Sequence, residues 1–240
     1  VIPSIVLKNY LHTKNNMEVY NIHIQDPKVQ INNFNFIVVP EHDRLEGENV
    51  IKSKGAIHYI TDEEIQGAKA LAISKNVLTV ILGGPNKYYS FSLEELKRLF
   101  HKIELLFLNR VEEIKIISSR RTPESIVSFL RDRYKDNPKV IVDSSLSRKN
   151  YIEALAQAKK IIVTSDSISM LSEAATTGVP IYLAKLKSYK NDHRFNSFLE
   201  LFKKLNIIKD LETNEDSWTY DKLYETKRIA ELLKNKITLS

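Results

Sequence analysis

Residues 160–184 read KIIVTSDSISMLSEAATTGVPIYLA, and the order of these residue types decides the fold class. Ile161, Ile162 and Val163 are apolar at consecutive positions, as a strand covered by helices on both faces must be, and they give way to the polar Thr164-Ser165-Asp166-Ser167. The spacing predicts a helix over 168–177, closed by Gly178 and Pro180, with a new strand at 181–184. A strand, a helix and a second strand within 25 residues form one unit of a parallel α/β sheet.

The same alternation extends in both directions. Short β-branched runs predict strands at 18–24, 34–39, 79–83, 113–118, 140–143, 160–164 and 181–184. Helix starts are legible between them: Thr61 with Glu64 and Ser92 with Glu95 have the spacing of capping boxes, and Thr122-Pro123 puts proline in a first turn. Leu93, Leu96, Phe100, Ile103 and Phe107 recur every three or four residues, as do Phe195, Phe198, Leu199 and Phe202 in a helix expected over 192–204. A last helix is expected over 220–235, with Ile229, Leu232 and Leu233 on its packed face, at a domain junction or on the N-terminal portion. Five strands follow Asn76, enough for a Rossmann-like half. The expected organisation is therefore α/β with Rossmann-like parallel sheets, a partial N-terminal domain over 1–75 and a C-terminal nucleotide-sugar-binding-type domain with a terminal helix over 76–240.

Composition narrows the function classes. The 240 residues are 42% hydrophobic, which supports a packed core rather than disorder. Lys and Arg outnumber Asp and Glu by 36 to 30, a net charge of +6 that favours anionic ligands; the basic residues are scattered rather than striped, so nucleic acid is not indicated. Without cysteine there is no disulfide or thiolate metal site, and no histidine spacing suggests a metal ligand set. Apolar runs such as 77–82 fall far short of a membrane span. The reading is a cytoplasmic protein with peripheral membrane contact left open. The start at Val1, without Met or a basic leader, is what a chain beginning inside a longer protein would show.

In open parallel sheets ligands bind beyond the carboxyl ends of the strands, so the residues after each run are the site candidates. Gly83 and Gly84 allow a tight turn and close backbone approach, although neither a P-loop nor a Rossmann glycine fingerprint is present. Ser165, Asp166, Ser167 and Ser169 surround a helix start that could receive phosphate, with Asp166 expected as its cap, and Glu173 lies one turn beyond Ser169, placed to accept from ribose hydroxyls. Arg120 and Arg121 close a strand, where a guanidinium fork could hold a phosphate or a carboxylate; their side chains diverge, so at most one of them is expected to face the cleft. His42 with Asp43 is the acid–base pair expected to act if there is catalysis, since histidine titrates near neutrality and a carboxylate can fix its tautomer.

Pro40-Glu41-His42-Asp43-Arg44, Gly83-Gly84-Pro85, Ser119-Arg120-Arg121-Thr122-Pro123 and the run from Val163 to Ala174, in this order and spacing, resemble the mitochondrial-fission Elm (elongated mitochondria) family, which has many bacterial members. The resemblance implies a GT-B arrangement like that of glycosyltransferases and sugar-nucleotide epimerases: two Rossmann-like domains, here with the first one incomplete. It implies donor phosphates near residues 165–169, ribose near Glu173 and His42 on an opposing lip. It also keeps a second class in view, because the family is named for a plant factor that helps recruit a dynamin-related protein. The two expectations are a nucleotide-sugar-binding, glycosyltransferase-like protein without a further cofactor, and a non-enzymatic adaptor that recruits a protein partner through the same fold.

Overall fold

The computed structural model describes residues 1–15, 18–190, 193–213 and 216–238. The chain divides into two compact units, Val1–Ile57 with Tyr224–Ser240, and His58–Leu223. The division falls ahead of the Thr61 helix rather than near residue 75, and the last helix belongs to the first unit.

The first unit begins with helix α1 (Ile2–Asn15) and continues through β1 (Ile22–Ile24), β2 (Phe36–Pro40) and β3 (Val50–Ser53). The strands are parallel in the order β1-β2-β3. Alternation along β2 sends its residues to two faces. Ile37 and Val39 join Phe34, Ile31 and Ile5 of α1, whereas Val38 joins Ile51. The second face is covered by the chain's final helix, from Glu225 to Thr238, through Ile229 and Leu233. This is the packing on the N-terminal portion expected from the sequence, although Leu232 remains 37% exposed. Polar contacts fix the same helix: the buried Glu225 carboxylate accepts the Lys54 N–H at 2.7 Å and pairs with Arg228, which donates to the Lys52 carbonyl at 2.8 Å.

The second unit contains α2 (Asp62–Ala70), β4 (Val77–Ile81), α3 (Leu93–Phe107), β5 (Glu113–Ile117), α4 (Glu124–Tyr134), β6 (Val140–Asp143), α5 (Arg148–Gln157), β7 (Ala158–Thr164), α6 (Ile168–Ala174), β8 (Ile181–Ala184), α7 (His193–Lys204) and β9 (Ile208–Asp210). All six strands are parallel, in the order β6-β5-β4-β7-β8-β9, and every residue of β4 and β8 is buried. One face packs Leu78, Val80 and Ile162 against Phe100 and Ile103 of α3 and Leu130 of α4. The other packs Ile81, Ile161 and Val163 against Leu155 of α5, Leu171 of α6 and the mutually tilted rings of Phe198 and Phe202 of α7. Phe195, expected on the α7 stripe, instead meets Tyr88 and Tyr89 on the first face; Asp192, expected to start that helix, lies outside the described residues.

Local chemistry explains the helix starts. Thr61 and Glu64 form a complete capping box. Ser92 caps α3 through the Glu95 N–H, but the Glu95 carboxylate turns away to Ser90 and the Lys187 N–H instead of returning to the cap. Among the described residues no helix is long and apolar enough to cross a membrane.

Candidate functional site

Strand order reverses at the centre of the second unit: β4 has its chain successor β5 on one side and β7 on the other. Parallel sheets open a crevice beyond such a reversal, because the connections leave toward opposite faces. The glycine turn after β4 and the polar residues after β7 meet there, as the sequence predicts. The Gly83 N–H donates to Thr164 Oγ1 at 2.9 Å, and the Gly84 N–H to Asp166 Oδ2 at 2.9 Å.

What the glycines admit, however, is protein. A Cβ on Gly83 would lie 2.1 Å from Asp166 Oδ2, and one on Gly84 2.1 Å from the Arg121 carbonyl oxygen. Arg121 closes the cluster, donating through Nη2 to Asp166 Oδ2 at 3.0 Å and through Nη1 to the Gly84 carbonyl at 2.9 Å. Asp166, expected to cap α6, turns its buried carboxylate back toward β4, and the N-cap position is held by Ser167 without a side-chain bond. A buried carboxylate needs charged or N–H partners, and the glycine turn and guanidinium supply them at Oδ2. Ser165 is also engaged, its Oγ accepting the Leu186 N–H at 3.0 Å. Ser165, Asp166 and Ser167 are all buried, while Ser169 is exposed.

Beside this closed cluster lies an open pocket of about 240 Å³. Ser118, Ser119 and Arg120 enter it from the end of β5, Asp143 from β6, Ser147, Arg148 and Tyr151 from the start of α5, and Met170 and Glu173 from α6; Tyr59 precedes α2. The two arginines therefore part as expected: Arg120 lines the pocket and Arg121 is held by Asp166.

Two carboxylates in the pocket have opposite characters. Burial pushes Asp143 upward, but bonds from Ser145 and Asn150 and the nearby Lys115 charge outweigh it and hold the acid below its ordinary value. Both its oxygens are occupied, by the Ser145 N–H at 2.8 Å and the Asn150 amide at 2.7 Å. Glu173 is raised by burial, an effect only partly offset by the Tyr151 hydroxyl, which donates to Oε2 at 2.7 Å. The Tyr151 hydroxyl is in turn pushed well above its usual range by burial and by the Glu173 charge. Glu173 is thus the pocket carboxylate with accepting capacity to spare, oriented by a phenol that stays protonated.

Across the pocket, Arg148 donates to both oxygens of Glu64, at 2.5 and 2.9 Å, and its guanidinium lies 4.8 Å from the centre of the Tyr59 ring. Tyr59, Arg148 and Tyr151 escaped the sequence reading. The one local signal was Ser147, which caps α5 through the Asn150 N–H and so directs the two residues into the first turns.

His42 and Asp43 belong to the first unit, in the single turn Glu41–Asp43 just past the carboxyl end of β2. His42 Nε2 is 3.8 Å from Asp43 Oδ1, and their side chains are only 3% and 6% exposed.

Comparison with known proteins agrees with this architecture. The family model for Mitochondrial fission ELM1 matches residues 3–237. An uncharacterized protein of Rickettsia prowazekii is 31% identical over 204 residues, covering 81% of this chain and 57% of that relative. Mitochondrial fission protein ELM1 of Arabidopsis thaliana is 24% identical over 251 residues, covering 91% of this chain and 58% of the relative. The chain thus spans under two thirds of the length of both relatives. Among solved structures, UDP-GlcNAc 2-epimerase of Methanocaldococcus jannaschii superimposes with a TM-score of 0.51 at 12% identity, over 97% of this chain and 74% of the epimerase, a likeness of fold.

Proposed function

The chain belongs to the mitochondrial fission ELM1 family, and from that premise we propose that its second unit binds a nucleoside-diphosphate sugar in the pocket between Arg120 and Glu173. The observation that carries the proposal is the pairing of chemistries in one cleft beside the strand-order reversal. An exposed guanidinium at the end of β5 suits a phosphate, and a half-buried carboxylate, held by Tyr151 with one oxygen free, suits the vicinal hydroxyls of a ribose. The epimerase that shares the fold acts, by its name, on UDP-GlcNAc, which makes uridine nucleotides the first ligands to try.

Gly83, Gly84, Arg121 and Asp166 frame the site in this reading, since each is engaged by another of the four or by the neighbouring loop. Ser169, exposed on α6, is the serine of its segment left to meet a phosphate. Any transfer or epimerisation would also require a proton acceptor, and within the first unit the candidate is His42, with Asp43 beside it.

Titration calorimetry with UDP and UDP-GlcNAc tests the assignment. Binding should occur and should weaken by about 1.5–3 kcal/mol in Glu173→Ala, the magnitude of a lost hydrogen bond to a charged group. Absence of heat with either ligand at millimolar concentration would favour the adaptor class, in which the fold serves only to recruit a protein.

A further inference from the structure

Tyr59 is 71% exposed, yet its neighbours His58 and Ile60 are buried at 9% and 5%. An aromatic ring that projects from a pinned backbone differs from one on a loose loop, because little side-chain freedom remains to be lost when a ligand covers it. Four contacts supply the pinning. His58 accepts the Ile60 N–H on Nδ1 at 3.3 Å and also hydrogen-bonds the backbone at Ser172, in the same helix as Glu173. Ile60 packs into the core beneath. The Arg148 guanidinium lies over the ring and is held in turn by both oxygens of Glu64.

We propose that Tyr59 is the stacking platform for the nucleobase, so that the nucleotide lies with its base on Tyr59, its ribose at Glu173 and its phosphates toward Ser119 and Arg120. This assignment rests on the nucleotide reading of the pocket and adds to it an orientation and a recognition residue. The bond from His58 to the Ser172 backbone links the base platform to the helix that carries Glu173. A nucleobase fits this end better than the sugar does. The ring offers a flat face, the supporting guanidinium is already committed to Glu64, and the charged donor that suits phosphates stands with the serines beyond β5. Stacking is tolerant of base identity, so Tyr59 selects nucleotides over base-free phosphates rather than one base over another.

The test is calorimetric titration of the chain, as wild type, Tyr59→Leu and Tyr59→Phe, with UDP, ADP and inorganic pyrophosphate. Tyr59→Leu should weaken UDP and ADP at least about ten-fold, the scale of a lost base–aromatic stack, while Tyr59→Phe stays within about two-fold of wild type and pyrophosphate binds all three proteins alike. UDP binding to wild type that is unchanged in Tyr59→Leu overturns the Tyr59 assignment and leaves the nucleotide reading standing. Parallel loss of UDP and pyrophosphate in Tyr59→Leu also overturns it, since the residue would then be supporting the site as a whole. If wild type binds no nucleotide, the nucleotide reading fails and the stacking role falls with it.

Discussion

Asp166 Oδ2 accepts the Gly84 N–H at 2.9 Å, joining the loop after β4 to the loop after β7 across the strand-order reversal. The same oxygen takes Arg121 Nη2 at 3.0 Å. The join is structural, and its loss should register as stability. Asp166→Ala strands a buried N–H and releases the guanidinium, for an expected loss of about 3 kcal/mol in urea denaturation. Gly83→Ala drives a methyl into the same carboxylate and should cost about 1–3 kcal/mol. Stability within error of wild type in both variants would mean that the cluster does not hold the loops.

The two adjacent arginines should separate in their effects. Arg121→Ala removes the charge partner of a buried carboxylate and is expected to lower stability by about 2–3 kcal/mol, the guanidinium's own partial exposure softening the loss. Arg120→Ala, at an exposed position lining the pocket, should leave the denaturation midpoint within about 0.5 kcal/mol of wild type and weaken UDP binding about ten-fold. Measuring both quantities on both variants decides the matter; an inverted pattern would exchange their roles.

Away from the pocket, Glu104 accepts Arg133 through Nε and Nη2, both at 2.7 Å, and the Tyr134 hydroxyl at 2.6 Å. The Arg133 bonds hold the acid below its ordinary value of 4.5, against the opposing effect of burial. A carboxylate lowered by folding contributes stability that is present above the unfolded value and disappears as the pH falls through the folded one. Glu104→Gln should therefore be less stable than wild type at pH 7, by about 1 kcal/mol because the group is part-exposed, and the gap should narrow in melts taken as the pH falls below 4.5 and through the lowered folded value. A gap that does not change with pH would assign the effect to packing.

How far these residues could be read from sequence depends on the range of the forces that place them. The apolar runs of β5, β7 and β8 and the Thr61 capping box are local patterns, so their elements appear within a few residues of the expected limits. Strands β3 and β9, four and three residues long, went unread because each is defined by the neighbour it pairs with rather than by its own run. The divergence of Arg120 and Arg121 follows from alternation, but which of them faces the pocket is decided by Asp166, 45 residues from Arg121. Tyr151 was invisible as a site residue for the same reason, its partner Glu173 being 22 residues away.

Glu173 should show a stability sacrifice characteristic of a binding group. Burial raises its carboxyl above the ordinary value of 4.5 despite the Tyr151 hydrogen bond. An acid whose pKa is raised by folding is bound to its proton more tightly in the native state than in the unfolded chain, so stability declines as pH rises from about 4.5 through the folded value and stays lower above it. Glu173→Gln removes the charge while keeping a carbonyl to accept from Tyr151. The variant should melt at a higher temperature than wild type at pH 7 to 8, and the difference should close below about pH 4.5. The same substitution should weaken UDP binding by about 1–2 kcal/mol, since a neutral amide oxygen is a poorer acceptor for ribose hydroxyls than a carboxylate. Tyr151→Phe provides the converse: with its donor gone, the buried Glu173 loses its offsetting bond, and the decline of stability with pH should steepen. Melting curves for the three proteins across pH 4 to 8, with UDP titrations at pH 7.5, read both effects. If wild type and Glu173→Gln run parallel across that range, burial is not holding the proton, and if their UDP affinities also agree, Glu173 is not the ribose acceptor.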